Sequence, residues 1–87
     1  VPDSDLQAVQ RRAFGATLRL IRVGAGMTQE QLALASGLDR TYLNTVESGR
    51  RNISLHAIWQ LAGALHVSPR AFFPFVDPED VPPSRTP

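Results

Sequence analysis

The 87-residue sequence contains no cysteine, which excludes disulfides and thiolate metal sites. Lysine is absent as well, and all nine basic side chains are arginines. The two histidines, His56 and His66, stand apart with no flanking cluster of acids, so neither a zinc site nor any other cofactor is expected. No apolar run approaches the ~20 residues that span a bilayer. The opening Val1-Pro2-Asp3-Ser4-Asp5 is polar and acidic, unlike a secretory signal. These absences predict a soluble, cytoplasmic protein with no membrane partner. Alternating β-branched residues are lacking too, whereas Leu, Ala, Arg and Gln are plentiful, so an all-α fold is expected. A chain of this length holds one domain with a single modest core. An enzyme needs paired carboxylates, a metal cluster or a nucleophile beside a base. The acids are few, and Ser, His and Asp occur at no catalytic spacing, so no catalytic residue is assigned.

Charge is unevenly spread. Between Arg11 and Arg70 lie eight arginines against only Glu30, Asp39 and Glu47, a net of +5. The ends hold Asp3, Asp5, Asp77, Glu79 and Asp80 against Arg85 alone, a net of −4. A basic middle between acidic ends favours a polyanionic partner, although solvated helix faces often carry this much arginine.

Apolar spacing and capping residues divide the chain into five helices. The first starts near Ser4 or Asp5, sets Leu6, Val9, Ala13, Phe14, Leu18 and Ile21 on one apolar face, and closes at Gly24 and Gly26. Thr28 followed by Gln31 is a capping-box pattern. The helix behind it, residues 29–36, places Leu32, Ala33 and Ala35 at packing positions and ends at Gly37. Asp39 caps a third helix over residues 39–48, with Leu43 and Val46 inward and Arg40, Thr41, Asn44 and Thr45 on another face. Gly49 stops it, and Arg50, Arg51 and Asn52 form an exposed basic turn. Ser54 caps a fourth helix with the stripe Leu55, Ile58, Leu61, Ala62 and Leu65. Ser68 and Pro69 open a short fifth helix carrying Phe72 and Phe73. Residues 1–76 are assigned to the domain, with its core in 11–73. Residues 77–87 have a proline-rich tail composition and are expected to be mostly unstructured.

Two short helices joined by a turn containing glycine are the helix-turn-helix arrangement, whose second helix enters the major groove. The stretch from Thr28 to Gly49 resembles the helix-turn-helix of the Cro/repressor (XRE) family. The likeness extends upstream through Phe14-Gly15, Leu18-Arg19, Ile21-Arg22 and Gly26-Met27, and downstream through Arg50 to Leu55 and Leu61 to Pro69. Ile53 departs from the family, which often has proline there, and His66 stands where glycine is common. The Leu38-Asp39-Arg40-Thr41-Tyr42 stretch looks like the controller proteins of restriction–modification systems. Phage-type repressors, antitoxins and longer regulators remain open alternatives within the family.

The resemblance implies a repressor-like DNA-binding domain that regulates transcription. Arg40, Thr41, Asn44 and Thr45 become the expected readers of base edges, with Asn44 equally suited to a phosphate. Arginine can donate twice to guanine, and threonine offers a methyl to thymine or a hydroxyl to either base. Gln29, at a helix N-terminus, suits a phosphate oxygen. Tyr42 suits either a phosphate or a packing role. Arg50, Arg51 and Asn52 precede a helix N-terminus and are expected on the DNA backbone, where contacts position without reading sequence. Arg22 and Glu47 match family positions that pair to brace the recognition helix. Trp59 lies off the main stripe, as a satellite of the core or part of an interface. With Phe72, Phe73 and Phe75 it is assigned to a homodimer surface. The expected partners are double-stranded DNA, as a near-palindromic operator, and a second copy of the chain. A protein-interaction module on the same fold, such as an antitoxin-type partner binder, is the competing reading.

Overall fold

The computed structural model describes residues 2–74, with side chains from Leu6 onward. Four α-helices follow in order: α1 (Pro2–Gly24), α2 (Gln29–Ser36), α3 (Arg40–Glu47) and α4 (Leu55–Leu65), then a single 3-10 turn, Pro69–Phe72. The expected fifth helix is this turn. Phe73 precedes Pro74, and the proline ring disfavours helical backbone in the residue before it. Phe73 accordingly sits at φ −128°, ψ 66°. Helix α1 begins at Pro2, ahead of the expected Ser4 or Asp5, with proline at the first helical position.

Local chemistry sets the helix ends. The Thr28 hydroxyl accepts from the Gln31 backbone N–H at 3.0 Å, and the Gln31 side chain accepts from the Thr28 N–H at 2.8 Å, a complete capping box. Gly37 takes the left-handed conformation at φ 76° and turns the chain from α2 toward α3. Asp39 and Ser54 accept from Tyr42 N and Ala57 N, each at 3.1 Å, and so start α3 and α4. His66 ends α4 at φ 58°, the one left-handed non-glycine residue among the described residues. It performs the turn for which the family commonly uses glycine.

The core lies between the helices. Leu18, Leu32, Leu43, Leu61, Val46 and Phe72 are each less than 2% exposed, and burying a side chain of this size stabilises by roughly 1.5–3 kcal/mol. Five expected packing positions prove exposed. On α2, Ser36 is buried beside Leu32 and Ala33, and Ala35 points outward. Leu55, the first residue of α4, is 70% exposed where its stripe runs past the packed core. On α1 the expected single face divides in two. Phe14 and Leu18 are buried and Ile21 packs against them, whereas Leu6, Val9 and Ala13 are exposed. At about 100° per residue the two groups fall on different sides of the helix.

Candidate nucleic-acid interface

Helix α3 separates its two faces cleanly. Leu43 and Val46 are 0% and 1% exposed against the core. Arg40, Thr41 and Asn44 are exposed on the other side, and Thr45 is half-buried there. Three acids lie close to this face: Glu30 is exposed beside Arg40, and the other two are engaged. Asp39 caps the helix, and Glu47 is held from inside.

Glu47 anchors the recognition helix to α1. Its carboxylate accepts from Arg22 Nε at 2.6 Å and Nη2 at 3.0 Å, a two-pronged ion pair. The two side chains are only 10% and 3% exposed. A third Arg22 donor, Nη1, goes to the Met27 carbonyl at 2.8 Å, so the guanidinium also fixes the turn before α2. Arg11, not anticipated from sequence, donates to the Gly49 carbonyl at 3.1 Å. Its signal was its position eleven residues before Arg22, on the same side of α1. Gly15 lies between them against the end of α3. A Cβ there would collide with the backbone carbonyl oxygens of Val46 and Glu47.

From Glu47 a hydrogen-bonded chain leads outward to the solvent face. Gln29 donates to Glu47 Oε1 at 3.0 Å and accepts from Asn44 Nδ2 at 3.2 Å. Asn44 Oδ1 in turn lies 3.5 Å from Arg50 Nη2. Arg19, Gln29, Asn44 and Ser48 surround a shallow polar depression floored by the Arg22–Glu47 pair. Arg19 is a second residue that the sequence reading left out.

The basic turn is tied to α3 through Tyr42. The tyrosine oxygen accepts from Ser54 N at 3.1 Å, which leaves its hydroxyl proton free to donate. Arg51 covers the ring, 5.4 Å from its centroid, and donates to Thr45 Oγ1 at 3.2 Å. Thr45 gives its own proton to the Tyr42 carbonyl at 2.7 Å. Arg50 donates to the Ser48 hydroxyl at 2.9 Å, and Asn52 is exposed beside them. Exposed Arg50 and Arg51 thus border the exposed face of α3 that carries Arg40, an arrangement suited to phosphates around base edges.

The aromatic residues assigned to a dimer surface do not share one environment. Phe72 is 1% exposed, its ring centroid 5.5 Å from that of Phe14. It belongs to the monomer core, because the 3-10 turn folds it inward. Phe73 is half-buried, 5.4 Å from Phe14. Trp59 is 58% exposed. Phe75 lies outside the described residues, as does the 77–87 tail. Among the described residues no cluster of His, Asp or Glu is placed to hold a metal ion, and no helix is long and apolar enough to cross a membrane.

The sequence matches the helix-turn-helix family model over residues 18–72. The chain belongs to this family, of Cro/repressor (XRE) type, and is a DNA-binding transcriptional regulator. Among its relatives is the control protein C.BamHI of Bacillus amyloliquefaciens, 41% identical over 66 residues, covering 75% of this chain and 82% of that protein. A hypothetical transcription factor of Neisseria meningitidis serogroup B is 46% identical over 69 residues, 78% of this chain. The match spans only 61% of the length of that relative. The crystal structure of the restriction–modification controller protein C.AhdI from Aeromonas hydrophila superposes with a TM-score of 0.74 at 48% identity, covering 75% of this chain and 98% of that one.

Proposed function

We propose that this chain is a controller-type regulator that binds a near-palindromic operator as a homodimer and inserts α3 into the major groove. The carrying observation is the exposed face of Arg40, Thr41, Asn44 and Thr45, backed by a rigidly held helix and bordered by Arg50 and Arg51. Arg40 and Thr41, at the helix start, read base edges. Asn44 and Thr45 lie one turn deeper along the same face. Gln29, Tyr42, Arg50, Arg51 and Asn52 hold phosphates. Likeness to two controller proteins supports the role; residues 1–76 form the functional unit.

Selection of duplexes from a random pool tests this reading and returns the operator. Arg40→Ala then weakens binding to the selected site by roughly 1–3 kcal/mol and flattens preference at one base pair. Unchanged discrimination at every position would remove Arg40 from the readers.

One domain covers a half-site, and two-fold pairing places two α3 helices about 34–36 Å apart on one side of the duplex. Trp59 and Leu55 are both exposed and stand one turn apart on α4, so the pairing surface is assigned to them with Phe73 and Phe75. Sedimentation across a concentration series is expected to show a dimer. Trp59→Ala raises its dissociation constant at least about tenfold, as truncation of an aromatic anchor does. A strict monomer at high micromolar concentration, unpaired on DNA as well, would overturn the dimer.

A further inference from the structure

The outward side of α1 carries an apolar stripe that neither the core nor the DNA-facing surface uses. Leu6, Val9, Ala13, Ala16, Leu20 and Val23 are all exposed; the four larger side chains are 53%, 53%, 74% and 57% exposed in chain order. Their spacing alternates three and four residues from end to end, the repeat of a coiled-coil seam. At about 100° per residue the stripe is centred opposite Leu18, so α1 is apolar on two sides. It runs about 25 Å along the helix. A surface helix with no partner carries polar residues on its outer face, and a contiguous exposed apolar patch marks an interaction site.

The borders of the stripe specify what fits it. Arg12 and Arg19, one heptad apart, flank one edge and are exposed; Gln10 and Thr17 flank the other. No Asp or Glu occurs from Leu6 through Gln29. Arg22 is already neutralised by Glu47 on the inner side. We propose that the outer face of α1 is a docking surface for an amphipathic helix of another protein, apolar at heptad spacing and acidic along the edges of its seam. Ala13 and Ala16 admit close approach at the centre, and Leu6, Val9, Leu20 and Val23 fill holes in the partner at either end. Acidic side chains of the partner face Arg12 and Arg19. A second copy of α1 is a poorer occupant. Antiparallel pairing sets Arg12 of one copy against Arg19 of the other. The docked helix leaves α3 free, so the regulator holds DNA and partner together.

Titration of the full 87-residue protein tests the proposal. The probe is a synthetic three-heptad peptide with Leu at the seam and Glu on both edges; the control peptide has Lys in place of Glu. The Glu peptide shifts the backbone amide resonances of Leu6 to Val23 and binds at least about tenfold more tightly than the Lys peptide, an advantage that shrinks with added salt. Leu20→Ser and Val9→Ser each weaken the peptide about tenfold and leave the melting midpoint and affinity for the selected duplex unchanged. Arg12→Glu narrows or reverses the preference between the peptides. Equal binding of the two peptides, no shifts along α1, or loss of duplex binding in Leu20→Ser would overturn the proposal. So would three other occupants: self-association removed by Leu20→Ser, adsorption to anionic phospholipid vesicles in place of peptide binding, or contacts from Phe75 or Val76 to Leu20 in the free protein.

Discussion

Glu47→Ala is expected to lower the unfolding free energy by about 3–5 kcal/mol, read as a fall in the chemical-denaturation midpoint. The Arg22 guanidinium is almost wholly buried and gives two of its donors to this carboxylate. Removing the acid strands a charge that the surrounding core cannot solvate. Small domains hold only about 5–15 kcal/mol in total, so the variant falls toward the edge of folding. Arg22→Met combined with Glu47→Leu removes both charges and recovers much of the loss, because apolar replacement of a buried pair is often neutral or better. DNA affinity does not recover with stability, since Gln29 has lost the oxygen that orients its amide. A midpoint in Glu47→Ala within about 0.5 kcal/mol of the parent, the range of ordinary surface changes, would show that the pair does not brace the helix.

Gly15→Ala is the second large effect, expected to cost about 3 kcal/mol by overpacking. The added methyl would meet two backbone carbonyl oxygens, those of Val46 and Glu47, well inside contact distance. Backbone atoms at the end of α3 cannot rotate aside, so α1 and α3 must part. That separation also strains the Arg22–Glu47 pair and the Arg11 bond to Gly49. Weaker duplex binding should therefore accompany the loss of stability. Gly24→Ala is the matched control: nothing lies within 4 Å of its added carbon, and helix propensity favours alanine by up to about 1 kcal/mol. Equal melting midpoints for the two variants would refute the close approach at Gly15.

Much of the local structure was legible in the residues. Thr28 with Gln31, Gly37, Asp39, Ser54 and Ser68 with Pro69 mark element ends because capping acts over three or four residues. Leu43 and Val46 could be set apart from Arg40 and Thr41 by the helical period alone. Periodicity did not reveal which of two apolar stripes on α1 meets the core. Leu6, Val9 and Ala13 have the same composition as a buried face, and only the packing of α3 and the 3-10 turn against Phe14 and Leu18 tells the sides apart. Phe72 and Phe73 read as surplus aromatics for the same reason, since their burial depends on Phe14, far away in the chain.

The amino-acid sequence by itself determined helices α2, α3 and α4, their caps, the polar face of α3 and the family, all carried by short-range chemistry or by a contiguous motif. Tertiary structure alone decided how the recognition face is held. The path from Arg22 through Glu47, Gln29 and Asn44 to Arg50 joins three helices and a turn. Each bond depends on distances that arise only when α1, α2 and α3 pack around Leu18, Leu32 and Leu43. It also decided that Gly15 is a contact point and that the outer stripe of α1 faces solvent, because burial depends on which elements meet and spacing along one helix does not record that.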